Sequence, residues 1–278
     1  VLIVKVDNTL PALPHVGLAS ADVIYIEQVE GGLTRIAAVF ATTLPPAVGP
    51  VRSARITDLS LFANYGTPAF AYSGAQPRLI PMIQASSLIN VGAETTNIGY
   101  YRDPSRAGNY VESLMAVPSQ LLRQAPHATG AHPIGFTFSL TPPPGGRRVS
   151  SLLATWPAST AAFTWDPAAH AFLVGLNGVP AALQGGGVDE ATTVVIQYVQ
   201  ETDSGFVDER GNFTPLSHVV GSGTGLVARN GRVYPVSWSR PSLAAGTTFV
   251  GANGRPVPFA PGQVWVALVN VASPVAVH

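Results

Sequence analysis

The chain has 278 residues, with fifteen basic and fifteen acidic side chains and a formal net charge of zero. It therefore carries no basic field to hold nucleic acid and no acidic tail. The absence of cysteine excludes disulfides, thiolate nucleophiles and cysteine-ligated metals. No apolar run reaches the roughly 18 residues that span a bilayer. With 46% hydrophobic residues, the length suits one large domain or two. Of the basic residues only Lys5 is a lysine and all the others are arginines. With the abundant Ala, Gly, Pro and Val, this fits the coding bias of a GC-rich genome.

The opening "VLIVKVDN" is a β-branched run ending on the turn signal Asp7-Asn8. It reads as a strand and not as a signal peptide, so a mature or trimmed fragment is expected. A loop rich in proline follows. "ADVIYIEQVE" and "TRIAAVFAT" then read as two strands joined by a tight turn at Gly31-Gly32. "GPVRSAR" leads into a helix for which Ser53 is the expected N-cap, with Ile56, Leu59, Phe62 and Ala63 at helical spacing and Gly66 just past the end. "TPAFAYSGA" reads as a buried strand, "PRLIPMIQASSLINVG" as a weaker helix limited by Pro81, and "NYVESLMAVPSQLLRQA" as one or two short helices broken or started at Pro118.

"SLTPPPGGRRVSS", residues 139–151, is the best linker. Beyond it the pattern is mainly β, with hairpins expected at Asn177-Gly178, Asn230-Gly231 and Asn253-Gly254 and a closing strand in "QVWVALVNV". The expected fold is mixed α/β (α+β). A strand-and-helix N-terminal domain spans residues 1–140. A mainly antiparallel β domain spans 148–278, and the two share a sheet or pack tightly because the linker is short.

Arg52 and Arg55 raise the sharpest question. A cation in a first helical turn faces the positive end of the dipole and loses roughly 0.3–1 kcal/mol. Something negative should compensate: Asp58 on the same face, Glu27 or Glu30 from the preceding hairpin, or a bound anion at the helix start. An internal arginine–carboxylate network, a ligand site and a solvated pair all remain open. Glu27 and Glu30 are three apart, which on a regular strand puts them on opposite faces, whereas Glu30 and Arg35 flank the glycine turn as a candidate cross-strand pair.

Other motifs read more blandly. "HVVGSGTGLV" lacks the G-x-S-x-G elbow because Val220 stands where glycine is needed, and a hairpin follows where a dinucleotide fingerprint requires a helix. Its glycines read as a bulge or close backbone approach, with His218 and Ser222 a minor catalytic alternative. His127 and His132 have no ligand spacing and no P-loop occurs, so neither metal nor cofactor is expected. The four tryptophans all fall in the second half and read mostly as core.

"KVDNTLPALPHVGLASADVIYIEQVEGGLTRIAAVF", "GPVRSARITDLSLFANYGTPAFAYSGA" and "VIQYVQETDSGFVDERGNFTPLSHVVGSGTGLVARNGRVYPVSWSR" resemble the YerB-like lipoproteins, the DUF3048 family. The resemblance covers nearly the whole chain. It implies an extracytoplasmic bacterial lipoprotein of two α/β domains, with the lipid-bearing cysteine upstream of Val1. It brings no established activity. Its recurrent polar motifs fall here on Asp7, Asn8, Glu30, Arg35, Arg52, Ser53, Arg55 and Asn109. Two departures stand out: Leu13 where relatives often carry arginine, and Ala107-Gly108 where Pro-His is commoner. The expected role is a binding module whose arginines grip a cell-wall glycan or another anionic small ligand, with no nucleic acid and with the membrane met only through the lipid anchor. A glycan hydrolase using Glu30 or Glu27 with Asp7, and a structural brace serving a protein partner, are the alternatives.

Overall fold

The computed structural model describes residues 1–208 and 210–278. Its centre is an eleven-stranded mixed sheet. Along it run Thr248–Gly251, Arg232–Arg240, Gly221–Arg229, Thr193–Val199, Val264–Asn270, Val23–Gln28, Thr34–Phe40, Leu2–Val6, Ala69–Ala71 and Ile89–Asn90, with Arg147–Arg148 pairing beside Arg232–Arg240. The sheet crosses from one half of the sequence to the other at a single seam. There Val264–Asn270 lies parallel to both Thr193–Val199 and Val23–Gln28. The mixed α/β class is as expected, and the two halves share one sheet.

Both faces of this sheet are covered, so its central strands are apolar on both sides. One face carries Leu2, Val4, Ile24, Ile26, Ile36, Ala38 and Trp265. It packs on a second, six-stranded antiparallel sheet through Leu152, Trp156, Phe163 and Phe172. The other face carries Ile3, Tyr25, Ala37, Val39 and Phe70, and is roofed by Leu61, Phe62, Ile83 and Phe259.

The asparagine-glycine turns at Asn177-Gly178 and Asn230-Gly231 take positive φ at both residues, as tight hairpins require. At Gly31-Gly32 the turn is a 3-10 segment, Glu30–Gly32, with φ of 67° and 72°. A Cβ on Gly32 would stand 2.5 Å from Pro157 Cβ, so the turn is also a docking point for the second half. Gly223 meets the Trp238 indole, which bears out the close approach expected of that glycine run.

Several local expectations are corrected. The helix is Ile56–Leu61 and its N-cap is Arg55, not Ser53. A 3-10 turn, Ala63–Tyr65, continues the chain to Gly66. Pro81 does not limit its helix but sits in the first turn of Ile80–Ala85, whereas Pro118 starts helix Pro118–Gln124, one of the two expected alternatives. Leu114–Ala116, expected as helix, pairs as a strand with Tyr100–Arg102.

Candidate functional site

The face of the sheet that carries Ile3 and Tyr25 ends in polar residues where Leu2–Val6 and Val23–Gln28 run out beneath the start of helix Ile56–Leu61. The chain leaves its strand after Gln28, so strand alternation does not reach Glu30. Glu27 and Glu30 therefore both meet groups of the same helix start, which corrects the expectation of opposite faces.

Asp58 accepts a hydrogen bond from the Arg55 main-chain N–H at 2.6 Å, the return half of a capping box. It does not pair with the Arg55 guanidinium. That group turns to Glu30, with Nη2 2.6 Å and Nε 2.7 Å from Oε2. The cation thus escapes the helix dipole by leaving the axis, and the carboxylate of Asp58 takes the favourable place at the N-terminus. The second oxygen of Glu30 accepts from Thr214 Oγ1 at 2.5 Å, tying the glycine turn to the second half of the chain. Arg240, from the same half, donates to the Ser60 and Leu61 carbonyls and so satisfies the other end of the helix.

Arg35 does not pair with Glu30 as expected. In register it faces Glu27, but its Nη1 stands 3.6 Å from Asp7 Oδ1. Asp7 is fully buried and also meets Arg52, whose Nε lies 2.9 Å from Oδ2 but misaligned for a hydrogen bond. Nε and Nη1 of Arg35 are buried without an acceptor among the described residues. Burial pushes the Arg35 guanidinium down to about 10, with Arg55 and Arg52 adding to the fall and Asp7 and Glu30 opposing it. Asn8 donates to Thr34 Oγ1 at 2.6 Å, and its carbonyl accepts from Asn177.

His15 was singled out by nothing in the sequence. It is fully buried, and Nε2 meets the Asp7 carbonyl at 2.7 Å. Desolvation lowers it to about 4, so it is neutral at pH 7 and Nε2–H is the donor. Lys5 was also missed as a site residue. Its Nζ is buried between Glu27 Oε1 and Asp58 Oδ1. The available signal was a lone lysine inside an apolar strand of a chain that otherwise uses arginine.

An open cleft of about 700 Å³ lies beside these groups. Glu30, Ser53, Arg55, Gly74 and Gln76 line it from the first half, and Val207, Asp208, Arg210 and Asn212 from the second. Asn109 is not brought there. It lines a separate hollow of about 410 Å³ with Leu13, Arg106 and Gln184. A third hollow, about 710 Å³, is mainly apolar, with Tyr65, Ile134, Phe136 and Phe138 in its wall. The His218 ring meets Thr202 Oγ1 at 2.9 Å, and among the described residues it makes no hydrogen bond to Ser222. Trp156, Trp238 and Trp265 are buried, as expected of core tryptophans.

Family models match both halves: the N-terminal domain of the DUF3048 proteins of unknown function over residues 1–129, and the C-terminal domain over 153–266. The chain belongs to the DUF3048 family. Among its relatives is a Bacillus subtilis (strain 168) protein named "Putative lipoprotein YerB", 22% identical over 280 residues that cover 96% of this chain and 80% of that one. The crystal structure of YerB from Bacillus subtilis superposes with a TM-score of 0.81 at 19% identity, covering 99% of this DUF3048 chain and 93% of that chain. At that identity the likeness is one of fold. No helix among the described residues is long and apolar enough to cross a membrane.

Proposed function

We propose that this DUF3048 chain is a binding module of the bacterial cell envelope that holds a polar, anionic ligand in the cleft between Arg55 and the side formed by Val207, Asp208 and Asn212. One observation carries the reading. Three guanidiniums, Arg35, Arg52 and Arg55, gather around only two carboxylates, Asp7 and Glu30, and Arg55 lines the cleft. Buried guanidinium N–H groups need acceptors, and a phosphate or carboxylate supplies several at once. The extracytoplasmic, lipid-anchored location rests on the name of the Bacillus relative.

The test is calorimetric titration of the folded protein with a muropeptide, a glycerol-phosphate oligomer and inorganic phosphate. At least one should bind, and Arg55→Glu should abolish that binding with the circular dichroism spectrum unchanged. Binding retained by Arg55→Glu overturns the reading.

The brace has an observation of its own, because Glu30 and Thr214 join the two halves of the chain. It predicts no binding by any of the three probes and a large loss of stability in an Arg52→Ala/Arg55→Ala double variant. The hydrolase gains nothing from the geometry. Asp7 is sealed, and both oxygens of Glu30 are already engaged, whereas a general acid or base must reach its substrate.

A further inference from the structure

Lys5 is the chain's one lysine, and the fold buries it completely. It stands on Leu2–Val6 opposite Ala37 of the neighbouring strand. That small residue leaves room for the lysine to reach across to Glu27, on the strand beyond. Asp58 comes down onto the same nitrogen from the first turn of helix Ile56–Leu61, with Nζ to Oδ1 at 2.7 Å. All three side chains are at most 1% exposed.

The surroundings of the two acids differ. The far oxygen of Asp58, Oδ2, is held by the Arg55 main-chain N–H at 2.6 Å. Glu27 has one oxygen on Lys5, while its Oε2 is buried and has no partner of good geometry among the described residues. A group that served only to balance charge could have been arginine, which this chain uses at Asp7 and at Glu30. A primary amine, unlike a guanidinium, is a nucleophile.

We propose that Lys5 and Asp58 are joined by an intramolecular isopeptide bond, an amide between Nζ and Cγ, formed with Glu27 as the acid–base group. The step begins with one proton passing from the ammonium to the Asp58 carboxylate, which leaves the amine and the acid. The amine lone pair forms the Nζ–Cγ bond. The carbonyl electron pair moves onto Oδ2, where the Arg55 N–H stabilises it as an oxyanion donor would. Oε1 of Glu27 takes one proton from Nζ, and the Glu27 carboxyl gives its own proton to Oδ1. The carbonyl re-forms, the Cγ–Oδ1 bond breaks, and water leaves. Nothing is oxidised or reduced. The amide keeps one N–H to donate to Glu27, and its oxygen stays on the Arg55 N–H. Burial, with Asp58 beside it and Lys5 opposing, raises the Glu27 carboxyl so that it retains the proton this relay needs. The fixed contacts replace a bimolecular encounter with an intramolecular one.

The full chain is examined by intact-mass spectrometry and by an amine-reactive label, both in denaturant. The expected mass is lower than that of the sequence by one water molecule. The lone lysine should refuse the label, and an arginine-specific digest should contain the Lys5 and Asp58 peptides joined. Glu27→Gln and Asp58→Ala should each restore the full mass and a reactive Lys5. Wild-type protein of full mass with a fully labelled Lys5 overturns the proposal. Loss of one water confined to the single peptide 1–35, which holds both Lys5 and Glu27, or a bond that survives Glu27→Gln, overturns the assigned roles. The wild-type measurement does not depend on any variant folding.

Discussion

Two polar clusters share one face of the central sheet and one helix start, and they are built to opposite specifications. Lys5, Glu27 and Asp58 are sealed, and all three come from the first 58 residues. The Asp7–Glu30–arginine group is sealed at Asp7 but reaches a cleft through Glu30 and Arg55, with Arg52 29% and Arg55 15% exposed, and it recruits Thr214 from the far half of the chain. In the sealed cluster one cation meets two acids, one of which keeps its proton; in the open one, three cations meet two acids. Sealed charge is costly to disturb and serves stability or covalent chemistry, whereas partly open surplus charge is cheap to alter and available to a ligand.

The largest expected effect comes from breaking the sealed side. Lys5→Met leaves two acids in an apolar site, which should cost about 3–5 kcal/mol. If the isopeptide bond is present, its loss frees a loop with a sequence separation of 53 residues, and by the chain-entropy treatment of cross-links that adds about 4 kcal/mol. Urea unfolding measures the sum, and a loss under about 1 kcal/mol would erase the contrast between the clusters.

The second effect is in pH, where the two clusters should pull in opposite directions. His15, beneath Asp7, is lowered from 6.5 to about 4, so the unfolded chain binds the proton more readily between those values. Stability present above pH 6.5 should then be lost as the pH falls towards 4, by about 3 kcal/mol, and His15→Gln should flatten that limb. Glu27 is raised, so its contribution is full below the ordinary glutamate range and is lost as the pH rises through the folded value. Glu27→Gln should flatten the alkaline limb and leave the acid limb intact. Melting temperatures between pH 4 and pH 9 separate the two.

The smallest stability effect belongs to the open side. Arg55→Ala removes an ion pair whose members are 15% and 6% exposed, and should cost less than Lys5→Met, about 1–3 kcal/mol. The same change should remove ligand affinity, so calorimetry and unfolding read opposite rankings for Arg55 and Lys5. A loss above about 3 kcal/mol for Arg55→Ala would move it to the sealed class and favour the brace.

Local chemistry settled much of this architecture. Alternation and β-branching marked Leu2–Val6, Val23–Gln28 and Thr34–Phe40, asparagine-glycine pairs marked hairpins, and the long motifs around Glu30 and Arg55 marked the family. These signals depend on neighbours in sequence, and there the reading held. It slipped where a choice depended on a distant partner. Ser53 was the better intrinsic N-cap, yet Arg55 caps the helix because Asp58 returns a hydrogen bond to its N–H and Glu30 draws its guanidinium away. Arg35 left Glu30 for Asp7 because Glu30 sits in a 3-10 turn and not on a strand.

The sequence by itself determined the class of fold, the strands and turns, the family and the set of polar residues worth watching. Only the tertiary structure decided that Val264–Asn270 closes both halves into one sheet, and which acid each cation meets. Hydrogen-bond geometry and desolvation act over a few ångströms in space, and Lys5 and Asp58 come within 2.7 Å only after three strands and a helix have packed.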